Sequence, residues 1–235
     1  APFVTRRETI AIKGAPAETF TVRETRHGPV ISDVYKNLAG ITAQNHVIAL
    51  AATGLRPDDL TPLALYEFSK AQDWSAFRDA ARHFHAPQQN ISFADTVGNI
   101  GFIAPGRVPV RRAGRGRHPV PGWTGAFDWT GFIPFDELPR SFNPASGKIV
   151  NANHRVVPVS YPWYLTDDWA APYRARRIYA VLDKAGPQSI DDSMRLQTDT
   201  LSLAAKAVTP VLLRHLEANS DKRRRIAALL EAWDG

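Results

Sequence analysis

The residues best suited to chemistry lie at the two ends of a short stretch from Gln89 to Arg111, which reads QNISFADTVGNIGFIAPGRVPVR. It begins with two amides, Gln89 and Asn90, and ends in a string of arginines that starts at Arg111. An amide can donate hydrogen bonds without carrying charge, and a guanidinium is a permanent cation with a forked set of donors. A purely structural hairpin needs neither group. The structural alternatives are a strand-start cap for Asn90 and a surface charge for Arg111.

The elements that must position these side chains form a predicted hairpin. Ile91 and Phe93 alternate with small or polar residues, which is the period of a half-buried strand. Asp95 to Asn99 is typical of a turn, because an aspartate bonds the backbone amides ahead of it and Gly98 accepts positive φ. Residues 100–103 then predict the returning strand.

No other catalytic constellation is complete in the sequence. The seven histidines form no HExxH motif, no serine lies in a GxSxG elbow, and GNIG lacks the lysine of a phosphate loop. His83 and His85 could present two imidazoles together, but they stand at a predicted helix end without a third ligand nearby in sequence. A partly exposed cap is therefore favoured over a metal site.

Composition restricts the class of protein. The 235 residues carry a net charge of +6 and no cysteine, which excludes disulfides, thiolate metal sites and a cysteine nucleophile in this chain. No apolar run approaches the length of a membrane span, and the start of the chain has no signal peptide. The basic excess leaves an alternative function open: an aromatic-rich module that binds nucleic acid or another polyanion through Arg111–Arg117.

The rest of the chain predicts strands first and helices last. TFTVRET alternates as a strand, and HVIALAAT fits a buried strand or a short helix. Residues 58–86 predict two helices, the first with Asp58, Asp59 and Thr61 as candidate caps and the second beginning at Asp73. Residues 105–147 predict ordered loops, and Lys148 to Ala152 predicts a further strand. Ser189 predicts the cap of one later helix and Ser220 or Asp221 the cap of the last, and Pro210 predicts a kink or break.

Several segments in order resemble one known family. They are PQQNISFADTVGNIGFIAPGRVPVR, PVPGWTGAFDWTGFIPFDELPRSFNPASGKIVNANHR, WAAPYRARRI and LQTDTLSLAAKAVTPVLL, with TVRETRHGPVIS before them. Their order and spacing resemble the penicillin acylase (penicillin amidase) family of N-terminal-nucleophile hydrolases. The resemblance covers nearly the whole chain. It implies an α+β fold that contributes to an αββα sandwich with wrapping loops, followed by a mainly helical region.

The resemblance also implies roles for two residues. In this family the amino-terminal serine of the large chain attacks an amide, and its own α-amine is the base. Asn90 falls where the family has its oxyanion-hole asparagine, and Arg111 falls where it has an arginine near the nucleophile. Arg112 is adjacent and could take the place of Arg111.

The start of the chain, Ala1-Pro2-Phe3, departs from the family pattern because alanine is not a nucleophile. We therefore expect an internal piece of the large subunit that does not hydrolyse amides alone. Residues 1–155 would supply core strands and wrapping loops, and residues 156–235 the helical part. The resemblance implies an acyl amide substrate such as a penicillin, an acyl-homoserine lactone or an acylated peptide.

Further implications concern partners and location. The missing small subunit and the remaining large-subunit segments are the expected protein partners, without nucleic acid and without a membrane span. The family chemistry requires no cofactor; a structural calcium belongs to some intact members, but no ligands for it are identifiable in this sequence. The family is periplasmic or extracellular, and the signal peptide is not in this chain.

Overall fold

The computed structural model describes residues 3–38, 40–184 and 186–235. These residues divide into two compact units. Unit 1 comprises Ala1–Gly147 and Pro162–Leu165, and unit 2 comprises Lys148–Tyr161 and Thr166–Gly235. Ala1 and Pro2 lie outside the described residues, and the predicted boundary near residue 155 stays a prediction.

The strands form three small antiparallel sheets in unit 1. Their orders are β1-β2-β3, β4-β5-β8 and β6-β7. The bounds are β1 Val4–Ile10, β2 Glu18–Thr25, β3 Gly28–Pro29, β4 Ile91–Ala94, β5 Ile100–Ile103, β6 Pro109–Arg111, β7 Trp129–Phe132 and β8 Arg140–Phe142. HVIALAAT contributes one isolated bridge, between Val30 and Ala49.

Among the described residues, unit 1 has two α-helices and unit 2 has four. They are α1 Thr61–Phe68, α2 Trp74–Ala81, α3 Tyr173–Leu182, α4 Ile190–Gln197, α5 Leu203–His215 and α6 Asp221–Ala232. The predicted α+β class is confirmed. Across the described ranges, no helix combines the length and the apolar character that crossing a membrane would require.

The predicted hairpin is present as β4 and β5, with Ile91 opposite Ile103. Its turn forms as the sequence indicates, because Asp95 Oδ1 accepts hydrogen bonds from the backbone amides of Val97 and Asn99. Gly98 in this turn has a φ of +94°. The Asp95 carboxylate thereby closes the far end of the hairpin and sets its register.

An aromatic layer packs helix α2 against the β4-β5-β8 sheet, and Phe68 of α1 joins this layer through Phe77. Trp74 stacks on Phe142 with ring centroids 5.1 Å apart, and it meets Phe93 edge-on at 5.6 Å. The other rings of the layer are Phe68, Phe77 and Phe84. The indole lies directly over β5 at Gly101, where a Cβ atom would come 2.4 Å from Trp74 Cζ3. Only glycine leaves room for this approach.

A second core lies beside the β6-β7 sheet. Its buried centre consists of Val108, Ile133 and Leu138. Partly buried side chains pack around that centre: Val110, Phe135, Trp163 and Leu165. The indole Nε1 of Trp163 donates a 2.6 Å hydrogen bond to Glu137, which fastens residues 162–165 to unit 1.

Unit 2 corrects one prediction from the sequence and part of another. Residues 148–152 are not a strand: the carbonyl of Ala152 accepts its hydrogen bond from the Arg174 guanidinium at 2.8 Å, instead of from a neighbouring strand. Helix α5 runs through Pro210 without a break, and a kink at that residue stays a prediction. The predicted caps are confirmed, because Ser189 and Ser220 each accept a backbone hydrogen bond at a helix start.

We expect Gly101→Ala to lower the free energy of unfolding by about 1–3 kcal/mol, because the new methyl group would force Trp74 away from the sheet. Urea denaturation of the full-length gene product, followed by tryptophan fluorescence, measures this. Gly40→Ala is the matched control, since a Cβ there meets no atom within 4 Å. Equal stability of the two variants would contradict the packing described for Trp74.

Candidate functional site

Asn90 lies immediately before strand β4 and its residue is half-buried. Its neighbour Ile91 is already paired with Ile103, so the backbone at Asn90 leaves the sheet from a fixed point. In the described part of the chain, the Asn90 side chain has no hydrogen-bond partner. Its amide NH2 is therefore unoccupied at the edge of a rigid hairpin.

The segment that leads into Asn90 is held by the hydroxyl group of Thr61. Thr61 Oγ1 accepts hydrogen bonds from the backbone amides of His85 at 3.0 Å and Ala86 at 3.1 Å. The hydroxyl donates its own proton to Asp59 Oδ1 at 2.7 Å. This donation, with a second one from the Thr61 backbone amide, lowers the pKa of the Asp59 carboxyl. One side chain at the start of α1 thus anchors two consecutive peptide groups.

His85 in turn binds the backbone next to Thr61, at Leu60. Its imidazole is 7% exposed, and Nδ1 accepts a 3.0 Å hydrogen bond from the backbone amide of Leu60. Because Leu60 donates, Nδ1 carries no proton and the ring is neutral. Burial is the main cause that lowers the pKa of His85, and the nearby Arg107 guanidinium lowers it further. The Asp58 and Asp59 carboxylates partly oppose this shift.

Residues 103–107 run alongside the same segment and complete its support. The His85 carbonyl accepts a 2.8 Å hydrogen bond from the backbone amide of Arg107. The side-chain amide of Gln88 donates to the Ala104 carbonyl at 3.1 Å. Gly106 packs so closely on Gln88 that a Cβ would lie 2.9 Å from Cβ of Gln88. Contacts on both sides therefore fix the chain up to Asn90.

Arg111 ends strand β6 and is half-buried. Its guanidinium carbon lies 5.9 Å from the ring centroid of Trp129, the residue with which Arg111 is paired. On another side the loop folds back at Gly116, where a Cβ would come 2.8 Å from Arg111 Nη2. Gly116 also has a φ of +71°, so its position requires glycine for both reasons. The guanidinium is thereby confined in one place.

Arg112 is exposed, and its backbone amide donates a 3.0 Å hydrogen bond to the carbonyl of Asp128. Further along the basic segment, the guanidinium of Arg115 lies 5.2 Å from the ring centroid of Tyr164. Arg111 and Arg115 therefore both lie against aromatic rings within unit 1.

The structure places Asn90 and Arg111 on neighbouring parts of one continuous piece of chain. Ile103, opposite Ile91, leads through the buried Val108 into strand β6 and Arg111. No hydrogen bond joins the two described side chains. Each is positioned independently by the backbone that carries it.

His83 and His85 both have ordinary structural partners. His83 Nδ1 lies 2.6 Å from Glu67 Oε2, and His85 bonds the backbone at Leu60. Within residues 3–38, 40–184 and 186–235, no group of three or more His, Cys, Asp or Glu residues could hold a metal ion.

Sequence reasoning missed the residues that fasten the loop next to Arg111 and Arg112. Arg26 binds both carboxylate oxygens of Asp128, at 2.7 and 3.1 Å, and this hydrogen bond chiefly lowers the pKa of Asp128. His27 Nε2 lies 2.9 Å from the carbonyl of Gly122. Because Arg26 and Asp128 are 102 residues apart, no local spacing could have indicated the pair.

Comparison with known proteins identifies the class to which this fold and this hairpin belong. A family model described as penicillin amidase matches residues 1–235. The chain therefore belongs to the penicillin amidase family, and the resemblance predicted from the ordered motifs is confirmed.

The relatives of this chain are named either as penicillin acylases or as acyl-homoserine lactone acylases. The chain is 35% identical over 238 residues to penicillin acylase 2 proenzyme of Pseudomonas sp. (strain SE83), covering 100% of this chain and 29% of that protein. It is 37% identical over 247 residues to the acyl-homoserine lactone acylase QuiP of Pseudomonas fluorescens, covering 100% of this chain and 30% of that protein. The chain thus spans about 30% of the length of these relatives.

A solved structure with a similar fold is the thermostable penicillin G acylase from Alcaligenes faecalis. The TM-score is 0.76 at 26% identity, and the match covers 99% of this chain and 41% of that chain. Both units of the chain therefore have counterparts in a penicillin G acylase structure.

The neutral state of His85 predicts a pH dependence of stability. An unfolded histidine titrates near pH 6.5, whereas the folded protein favours the neutral ring. The unfolded state therefore binds more protons below about pH 6.5, and the stabilising contribution is complete above that pH and is lost as the pH falls toward the folded pKa.

We expect His85→Asn to flatten this dependence between pH 7.5 and 5, because an asparagine oxygen can accept from Leu60 without titrating. Thermal unfolding of the full-length gene product, measured at several pH values, compares the two slopes. The aspartates whose pKa values are lowered titrate at more acidic pH, so they do not contribute to the change in stability between pH 7.5 and 5. Identical slopes would show that His85 is not the titrating group.

Proposed function

We propose that this chain is part of an amidohydrolase that cleaves acyl amides with an N-terminal serine, and that Asn90 donates a hydrogen bond to the tetrahedral oxyanion. The serine, its α-amine base and most of the acyl pocket belong to segments outside these 235 residues. Asn90 is a catalytic residue in this proposal because its side chain contacts the reacting group.

The observation that carries the proposal is the unoccupied amide of Asn90 on a fixed backbone. An oxyanion donor lowers an activation barrier only if it is aimed before charge develops, because reorientation during the reaction would consume the gain. Thr61, His85 and the pairing of Ile91 supply that fixed aim. A strand-start cap would instead show the Asn90 side chain bonded to its own backbone.

Arg111 is proposed to keep the α-amine of the nucleophile unprotonated and to orient the groups beside it. A guanidinium confined against Trp129 and Gly116 presents a permanent positive charge in one place, and a nearby cation disfavours the protonated form of an amine. Arg112 remains the alternative, since its residue is exposed next to Arg111.

The proposed substrates are penicillins, acyl-homoserine lactones or acylated peptides. The relatives at 35% and 37% identity are named for two of these classes, so similarity favours neither. We further propose that the active protein comprises a small subunit and the other large-subunit segments around an αββα core. By family resemblance, it acts in the periplasm or outside the cell.

We expect Asn90→Ala to lower kcat on the order of a hundred- to a thousandfold, with a much smaller change in KM, because the bond to the oxyanion strengthens only in the transition state. Asn90→Asp should be at least as harmful, since it places a negative charge against the developing oxyanion. The measurement is steady-state hydrolysis of phenylacetyl and long-chain acyl-amide chromogens by the full-length gene product.

Asn99→Ala is the matched control, because Asn99 lies in the turn at the opposite end of the same hairpin. It should cost stability and leave kcat close to wild type. Self-cleavage of a precursor could use the same groups, so each variant is first checked for processing on a gel. A processed Asn90→Ala enzyme with near-normal kcat would overturn the oxyanion role.

A separate comparison tests which arginine acts. Arg111→Lys keeps the charge but loses the forked donors, and we expect it to lower kcat by roughly tenfold or more if that geometry is needed. Arg112→Lys should stay near wild type. The reverse order of the two effects would assign the site to Arg112, and two unaffected variants would remove both arginines from the mechanism.

A further inference from the structure

Arg26 and Asp128 join two distant parts of unit 1. Arg26 Nη1 lies 2.7 Å from Asp128 Oδ2 and Nη2 lies 3.1 Å from Oδ1, so the contact uses both nitrogens and both oxygens. Nη2 also donates to the Gly122 carbonyl at 2.9 Å. His27 bonds that same carbonyl through Nε2. Four contacts therefore fix the segment from Gly122 to Asp128 against the end of β2.

The segment fixed in this way contacts the strand end that contains Arg111 and Arg112. The carbonyl of Asp128 accepts the backbone hydrogen bond of Arg112, and the next residue, Trp129, is the partner of Arg111. The side chain of Asp128 thus binds Arg26, and its backbone carbonyl binds Arg112 next to the pair formed by Arg111 and Trp129. Any movement of Asp128 would be passed directly to Arg111 and Arg112.

The β6-β7 sheet needs an external fastening at this point. It has two strands, and its ladder is irregular between Val110 and Arg111. Pro109 has no backbone N–H to give to it. An isolated two-stranded sheet of this length has little stability of its own. The end of the ladder at Arg111 is therefore positioned by what holds Asp128.

We propose that Arg26 and Asp128 form a clamp that positions Arg111 and Arg112 for the reaction. This inference rests on the proposed function, and it makes Arg26 and Asp128 positioning residues that act through the arginines. The clamp sets geometry more than stability, because an ion pair whose arginine side chain is 51% exposed contributes little to the free energy of unfolding. A forked arginine–carboxylate contact nevertheless restricts orientation strongly.

The chain offers a matched control on strand β2, which ends one residue before Arg26. Arg23 makes an equivalent two-point contact with Asp33, at 2.9 and 2.6 Å, three residues before Arg26. That contact does not involve residues 111–128. Arg23→Ala therefore removes a similar ion pair from β2 without touching the proposed clamp.

The experiment measures kcat and KM for variants of the full-length gene product. We expect Arg26→Ala and Asp128→Asn each to lower kcat about tenfold with a smaller change in KM, because displacement of a catalytic group by a fraction of an ångström is costly. Arg26→Lys, which keeps the charge and loses the fork, should also lower kcat and serves if Arg26→Ala does not fold. Arg23→Ala should remain within about twofold of wild type.

A double-mutant cycle separates positioning from a general loss of structure. If the clamp acts through the arginines, Arg26→Ala should lower kcat by no more than about twofold in a background that already carries Arg111→Lys and Arg112→Lys. A purely structural role would leave the tenfold loss unchanged in that background, and this result would overturn the proposal.

The remaining outcomes are equally distinct. Equal kcat for Arg26→Ala and Arg23→Ala, while Asn90→Ala still loses activity, would overturn the clamp and leave the proposed function standing. Near-normal kcat for each of the single variants Asn90→Ala, Arg111→Lys and Arg112→Lys would overturn the proposed function. The positioning role of the clamp would be overturned with it.

Discussion

The hydroxyl of Thr61 and the imidazole of His85 hold together the part of the molecule on which the candidate site depends. Thr61 accepts hydrogen bonds from two consecutive backbone amides, at His85 and Ala86. His85 accepts one from the backbone amide of Leu60. Helix α1, the segment before Asn90 and the start of the path toward β6 thus meet at one point. Buried backbone groups must find partners, and here two side chains supply them where no regular ladder does.

The aromatic layer supplies rigidity from the other direction. Trp74 of α2 lies on the bare backbone at Gly101 and meets Phe93 edge-on, so it contacts both strands of the hairpin that begins after Asn90. Rings interlocked at centroid distances of 4.7–6.3 Å leave little freedom for the strands beneath them. A neutral amide donor requires such a base, because its effect on a developing oxyanion depends on orientation more than on charge.

Several large apolar side chains are exposed among the described residues of this chain. Leu65, Tyr66 and Trp123 are each more than half exposed, and the chain spans about 30% of the length of the relatives it matches. The family relation and the geometry around Asn90 come from different observations. They are independent, because one comes from ordered motifs over the whole chain and the other from hydrogen bonds around a single segment.

The sequence alone determined the features that depend on neighbouring residues: the β4-β5 hairpin with its Asp95 turn, the helix that begins after Asp73, the helix capped by Ser189, and the family itself from motifs in order. It also indicated Asn90 and Arg111, though only through that resemblance. Residues 148–152 were wrongly predicted as a strand, because a short apolar segment does not show whether its carbonyls accept from a partner strand or, as at Ala152, from a side chain such as Arg174. Only the tertiary structure decided that His85 is a buried acceptor, that Gly101 lies under an indole, and that Arg26 reaches Asp128. Those contacts join residues 25 to 102 positions apart, and local periodicity and capping rules carry no information over such separations.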